Sequence, residues 1–142
     1  MARKQTDFII IHCSATKATH DVDIADIDRW HREQGFRKVG YHFVIKRNGV
    51  IQAGRNLLDG GAHAGPAYNN RSIGVCLVGG VGPDGKKGEN NFTPDQWEAL
   101  VILVEELAAL YPAAEVIGHR DIAAKDCPSF DAKQWWKDHT NK

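Results

Sequence analysis

The 142-residue chain carries 18 lysines and arginines against 18 aspartates and glutamates, so its formal net charge is zero. Balanced charge lacks the electrostatic footprint of a nucleic-acid binder, and this length suits one domain, residues 1–142, able to fold without disulfides or metal. The apolar run behind the polar start is only Phe8 to Ile11, too short for a signal-peptide core or a membrane span.

Three cysteines, Cys13, Cys76 and Cys127, cannot all pair internally, which fits a reducing, cytoplasmic compartment. Cys13 and Cys76 lie in apolar runs and read as small buried hydrophobes.

Phe8-Ile9-Ile10-Ile11 is apolar at every position, which predicts a strand covered on both faces. Its period of two puts Phe8, Ile10 and His12 on one side, with His12 as the last strand residue and Ser14 to Thr16 opening a polar loop. From Asp23 the period turns helical through Ile24, Ile27, Trp30 and His31. Asp23 is a suitable N-cap, Asp26 sits where a carboxylate favours the helix N-terminus, and Gly35 is a natural stop, so a helix is expected over Ile24 to Gln34. His31 reads as a packed or surface histidine.

Asn48-Gly49 between Tyr41–Ile45 and Val50–Ala53 predicts a tight hairpin in which Tyr41, Phe43 and Ile45 share a face. Gly54 to Arg71 is a long loop, of a length that in a compact domain is functional or mobile. Ser72 to Val78 reads as a central strand. The lysines of the following turn-rich loop, Lys86 and Lys87, read as solvated. Thr93-Pro94-Asp95-Gln96 is a complete helix start, and the helix should run to Tyr111, where Pro112 ends it. Glu115-Val116-Ile117 is a short strand that leaves His119 at its end. A last helix, Ala132 to His139, is capped by Ser129 or Asp131, with one of Trp135 and Trp136 in the core and the other at the surface. The whole reads as an α/β domain, a mixed central β-sheet flanked by about three helices.

The chemistry concentrates in Gly118 to Phe130, where His119, Lys125 and Cys127 share one loop and Pro128 stiffens the chain behind the thiol. With His12 from the first strand, His119 and Cys127 make two imidazoles and a thiolate, a donor set suited to a zinc ion with an open fourth position. Seven histidines allow other triples, so spacing alone leaves zinc as one reading among several.

Four blocks carry a resemblance across nearly the whole chain: Ile10 to Thr16, Val39 to Ile45, Ser72 to Gly80 and Cys127 to Asp131. In order and spacing they resemble the N-acetylmuramoyl-L-alanine amidases of the phage lysozyme type, the family shared with the peptidoglycan recognition proteins. The resemblance implies zinc on His12, His119 and Cys127 and catalytic roles for Tyr41 and Lys125. It also implies cleavage of the amide between N-acetylmuramic acid and the first L-alanine of the stem peptide. By the same resemblance His63, Asn69 and Asn70 bind substrate, with His42 a further candidate for that role or for packing. Asp126 is the nearest carboxylate for a general base.

The expected protein is therefore a peptidoglycan hydrolase of the endolysin kind. It would be monomeric, bind neither nucleic acid nor membrane, accumulate in the cytoplasm and reach the wall through a membrane pore made by another protein. The alternatives are a cytoplasmic amidase that recycles muropeptides and a binding module without catalysis; recognition proteins without activity typically lack the cysteine ligand that stands here at Cys127. Amidases most like this chain also bind and inhibit the phage RNA polymerase, partly through an N-terminal arm. Only seven residues precede the first strand here, so that partner is left open.

Overall fold

A computed structural model describes residues 2–141. The elements run β1 (Phe8–Cys13), β2 (Thr16–Lys17), α1 (Ile24–Glu33), β3 (Phe43–Ile45), β4 (Ile51–Ala53), β5 (Ser72–Leu77), β6 (Gly80–Val81), α2 (Pro94–Leu110), β7 (Glu115–Gly118) and α3 (Ala132–Thr140). Among the described residues, five strands form the main sheet in the order β4-β3-β5-β1-β7. β3, β5, β1 and β7 are parallel, and β4 is the antiparallel edge contributed by the hairpin. The sheet is thus mixed, as the sequence predicts. β2, in the stretch read as a polar loop, pairs with β6 as a small second sheet.

β1 lies inside the sheet, between β5 and β7, because its residues from Ile9 onward suit burial on both faces. Ile9 and Ile11 join Ile45, Ile73, Val75 and Leu77 against Leu100, Val104 and Leu107 of α2. On the opposite face Val44, Cys76 and Val78 pack with Val22, Val39 and Ile27 of α1. His12, only 1 % exposed, alternates onto that second face. It is the penultimate residue of β1 rather than the last, so it looks over the sheet surface and not off its end.

The helices begin where their caps are written. Asp23 accepts the Asp26 N–H while the Asp26 carboxylate accepts the Asp23 N–H, and Gly35 at φ +99° ends the turn after α1. Thr93 and Gln96 make the same reciprocal arrangement at α2, with Pro94 as its first residue. Gln96 does more than the sequence suggests: wholly buried, it also donates to the carbonyls of Ile45 and Val78, fastening α2 to two strands.

Two expectations are corrected here and one alternative is decided. Tyr41 does not share a face with Phe43 and Ile45: the chain bends at His42 before β3 begins, breaking the alternation, and Tyr41 packs on the α1 side while Phe43 and Ile45 face α2. Of the two caps the sequence offers α3, Asp131 is the one used; Ser129 donates to the Gly80 carbonyl. Trp135 and Trp136 are both half-buried, because α3 lies along β7 and both rings join an aromatic cluster with Trp97 and Phe130.

Ala2 and Arg3 are tied down. Arg3 donates from its guanidinium to Thr6 Oγ1 and to the Leu57 and Asp59 carbonyls of the long loop. Among the described residues no helix is long and apolar enough to cross a membrane.

Candidate metal centre and its cleft

Parallel pairing brings the two histidines together. Ile11 of β1 is registered with Gly118 of β7, so the next residues, His12 and His119, emerge side by side with ring centroids 4.5 Å apart. Past β7 the chain tightens into a single 3-10 turn, His119–Asp121, in which the Asp121 carboxylate accepts the Gly118 N–H. The loop then folds back, and the Arg120 N–H donates to the Cys127 carbonyl at 2.7 Å. That return sets the Cys127 sulfur against the end of β1, where it accepts the Cys13 N–H at 3.1 Å. The peptide bond from Cys127 to Pro128 is cis. One donor atom from each of His12, His119 and Cys127 lies within 4.8 Å of the others, so these three residues could hold a metal ion.

The electrostatics suit that use. Burial, then the neighbouring His63, His119 and Lys125, holds the His12 pKa well below the ordinary histidine value. Burial and then Lys125 lower that of His119. Both rings are therefore neutral at pH 7, the state a metal needs. The thiols of Cys13 and Cys127 are in contact and pull each other in opposite directions, Cys13 down and Cys127 up. With a cation in the cluster the anion belongs on Cys127, whose sulfur lies among the donor atoms and accepts a backbone N–H. Tyr41 is pushed well up, by burial first and then by the thiols of Cys76, Cys127 and Cys13, so its phenol keeps its proton.

Two cavities meet at this cluster. The larger, about 770 Å³, is bounded by Trp30, His31, Phe36, Tyr41, His63 and Asn69 among others; the second, about 510 Å³, includes Lys86, Asp126 and Ser129. Cys13, Ala15, Lys125 and Cys127 line both.

Residues 2–130 match the family model described as N-acetylmuramoyl-L-alanine amidase. The chain belongs to the N-acetylmuramoyl-L-alanine amidase family. Among relatives of this amidase, the endolysin of Klebsiella phage KP32 is 50 % identical over 135 residues, 95 % of this chain and 88 % of the relative. Among solved structures, the N-acetylmuramoyl-L-alanine amidase LysC from Clostridium intestinale URNW superposes with a TM-score of 0.75 at 28 % identity, covering 87 % of this chain and 76 % of LysC. A tyrosine-to-phenylalanine mutant of Drosophila PGRP-LB in complex with tracheal cytotoxin also superposes at 0.75, with 26 % identity, covering 90 % of this chain and 78 % of that one.

Of the residues singled out in the amidase sequence, the fold gathers most and separates two. Tyr41 lines the larger cavity with its ring 5.0 Å from that of His12, and Lys125 stands where the cavities join. His63 also lines the larger cavity, with Nδ1 2.8 Å from His12 Nε2. Asn69 borders it, and its amide oxygen accepts the N–H groups of His63 and Ala64. Asn70 is exposed over Gly60 and outside both cavities. His42 is wholly buried, accepting the Gly74 N–H on Nδ1 and donating from Nε2 to the Asp59 carbonyl, so it braces the sheet against the loop rather than meeting a ligand.

Sequence reasoning passed over two cavity residues. His31 is packed, its Nδ1 accepting the Gly40 N–H, and its ring also borders the larger cavity. Lys86 lines the second cavity instead of being merely solvated. Nothing local distinguishes either from an ordinary surface residue; only the fold brings them to the cleft.

Proposed function

We propose that this protein is a zinc-dependent peptidoglycan amidase of the endolysin kind, hydrolysing the amide between N-acetylmuramic acid and L-alanine. The observation that carries the reading is the closeness of His12, His119 and Cys127 at the junction of two cavities in a chain of the amidase family. Two neutral imidazoles and one thiolate are a donor set zinc favours, and three protein ligands leave the fourth position that a catalytic site keeps open. These three residues hold the ion. When bound, zinc supplies a Lewis acid that polarises the scissile carbonyl and makes water nucleophilic at neutral pH.

The chain's own residues do the rest. A substrate laid across both cavities passes its amide over the residues they share, with one part of the chain bound on each side. Tyr41, kept protonated by its surroundings, donates a hydrogen bond to the oxygen that becomes negative as the carbonyl is attacked. Lys125 sits at the same junction, where an ammonium offers charge to that oxygen and a proton to the departing amine. The Cys13 N–H steadies the Cys127 sulfur. The tracheal cytotoxin bound by the PGRP-LB mutant supports a muropeptide as the ligand class. In the producing cell the protein is held in the cytoplasm and acts on the wall after release through a pore.

The test pairs zinc stoichiometry with the release of N-terminal alanine from purified peptidoglycan. One zinc per chain and chelator-sensitive release are expected. Release that survives complete removal of metal would end the zinc reading, and activity confined to soluble muropeptides would make the protein a recycling enzyme.

A further inference from the structure

A chain of hydrogen bonds runs from the metal cluster into the protein, and its proton positions can be assigned by elimination. The Ser72 hydroxyl donates to the Tyr68 carbonyl at 2.8 Å. A hydroxyl has one proton, so towards His63 Nε2, 3.2 Å away, Ser72 offers only a lone pair. His63 Nε2 must therefore carry the hydrogen. The ring stands among two other imidazoles, His12 and His42, and a neutral hydroxyl, surroundings that favour its neutral form; a neutral imidazole carries one hydrogen, which leaves His63 Nδ1 as an acceptor. His12 Nε2, 2.8 Å from that acceptor, is then the donor.

We propose that His63 is a positioning residue: its Nδ1 holds His12 as the Nε2–H tautomer and commits His12 Nδ1 to the metal. The inference rests on the zinc reading above for the identity of the ion, and on the hydrogen-bond chain for the role of His63. Both ring nitrogens of His63 are engaged within the protein, so neither is left to bind substrate, the role that the family resemblance implies for it. A carbonyl, carboxylate or similar acceptor behind a ligating imidazole fixes its tautomer and its orientation, and losing that acceptor typically weakens metal binding about 10- to 100-fold.

The surroundings of His63 are shaped to this end. A Cβ on Gly74 would stand 2.7 Å from the His63 ring, and one on Gly61 would stand 2.4 Å from it, so glycine at both positions makes the space the ring fills. Asn69 clamps the backbone from the other side through the N–H groups of His63 and Ala64. The loop from Gly61 to Ser72 is thereby organised around one imidazole that touches His12. His42 lies behind it with ring centroids 5.9 Å apart, its own two nitrogens satisfied.

The experiment uses zinc-loaded protein and two readouts. Equilibrium competition with a chelator of known affinity should show zinc bound about 10- to 100-fold more weakly by His63→Ala. His63→Asn, whose amide oxygen can stand where Nδ1 stood, should recover most of that loss. Long-range ¹⁵N–¹H NMR of the wild type should find the His12 proton on Nε2. A proton on His12 Nδ1, or a His63→Ala affinity within twofold of wild type, would overturn the proposal. Should His63→Ala fail to fold, the wild-type tautomer and the His63→Asn affinity still decide. Should the wild type take up no zinc, the zinc reading falls, and the His12 tautomer in that metal-free protein then decides the role of His63 alone.

Discussion

The Cys127 sulfur accepts the backbone N–H of Cys13, the residue directly after His12, across 114 positions of sequence. One contact therefore couples the returning loop to the end of β1 and holds two metal-binding candidates in register. Cys127→Ser replaces a soft thiolate by a hydroxyl that ionises far less readily. Zinc binding should weaken by more than the roughly 10- to 100-fold typical of a lost supporting hydrogen bond, and alanine release should fall with it. The far-ultraviolet circular dichroism should be retained, because the apolar cores on both sheet faces exclude this residue from their fully buried members. Full activity in a metal-free preparation of this variant would contradict the assigned ligand.

Tyr41→Phe removes one hydroxyl from the cleft and leaves the ring against His12. Zinc stoichiometry should be unchanged while kcat falls by roughly 10²- to 10³-fold, the usual cost of one lost oxyanion donor. Steady-state kinetics on peptidoglycan fragments check this, and an unchanged kcat would remove Tyr41 from the reaction.

His42 links stability to pH. Burial holds its pKa at about 4 in the folded protein, below the ordinary value of 6.5. Between these values the unfolded chain binds a proton that the folded chain refuses, so stability is full above about pH 6.5 and is lost as pH falls towards 4. Protonation would also put a hydrogen on Nδ1, where the Gly74 N–H already donates. The shift corresponds to about 3 kcal/mol lost across that window. Urea unfolding at pH 7 and at pH 4.5 measures the loss, and an NMR titration of the His42 ring assigns it; a ring that titrates near 6.5 would refute the linkage.

Gln96→Leu should destabilise without touching the chemistry. Its amide oxygen accepts from Thr93 N–H and Arg47, and its nitrogen serves the Ile45 and Val78 carbonyls in a fully buried setting. Leucine keeps the volume but strips these groups of a partner, at a cost of about 2–4 kcal/mol. Denaturant unfolding reads the loss, while kcat per folded molecule should stay within twofold of wild type.

Sequence alone determined the parts of this protein that depend on near neighbours. Asp23 with Asp26, Thr93 with Gln96, and Asn48-Gly49 between two apolar runs act over three or four residues, so caps and hairpin are written where they form. The unbroken apolar run of β1 likewise announces a strand buried on both faces, and the four blocks that resemble the amidases pointed to the cluster of His12, His119 and Cys127. What only tertiary structure decided depends on which distant groups meet. Parallel pairing of β1 with β7 sets His12 beside His119, and the bend at His42 turns Tyr41 towards the cleft. His63 reaches His12 from 51 positions away. A hydrogen bond needs its partner within about 3 Å in the right direction, and residue type alone carries no such information. That is why His42 and His63, both candidates for the same role in sequence, are separated by the fold into a buried brace and a neighbour of the candidate metal ligands.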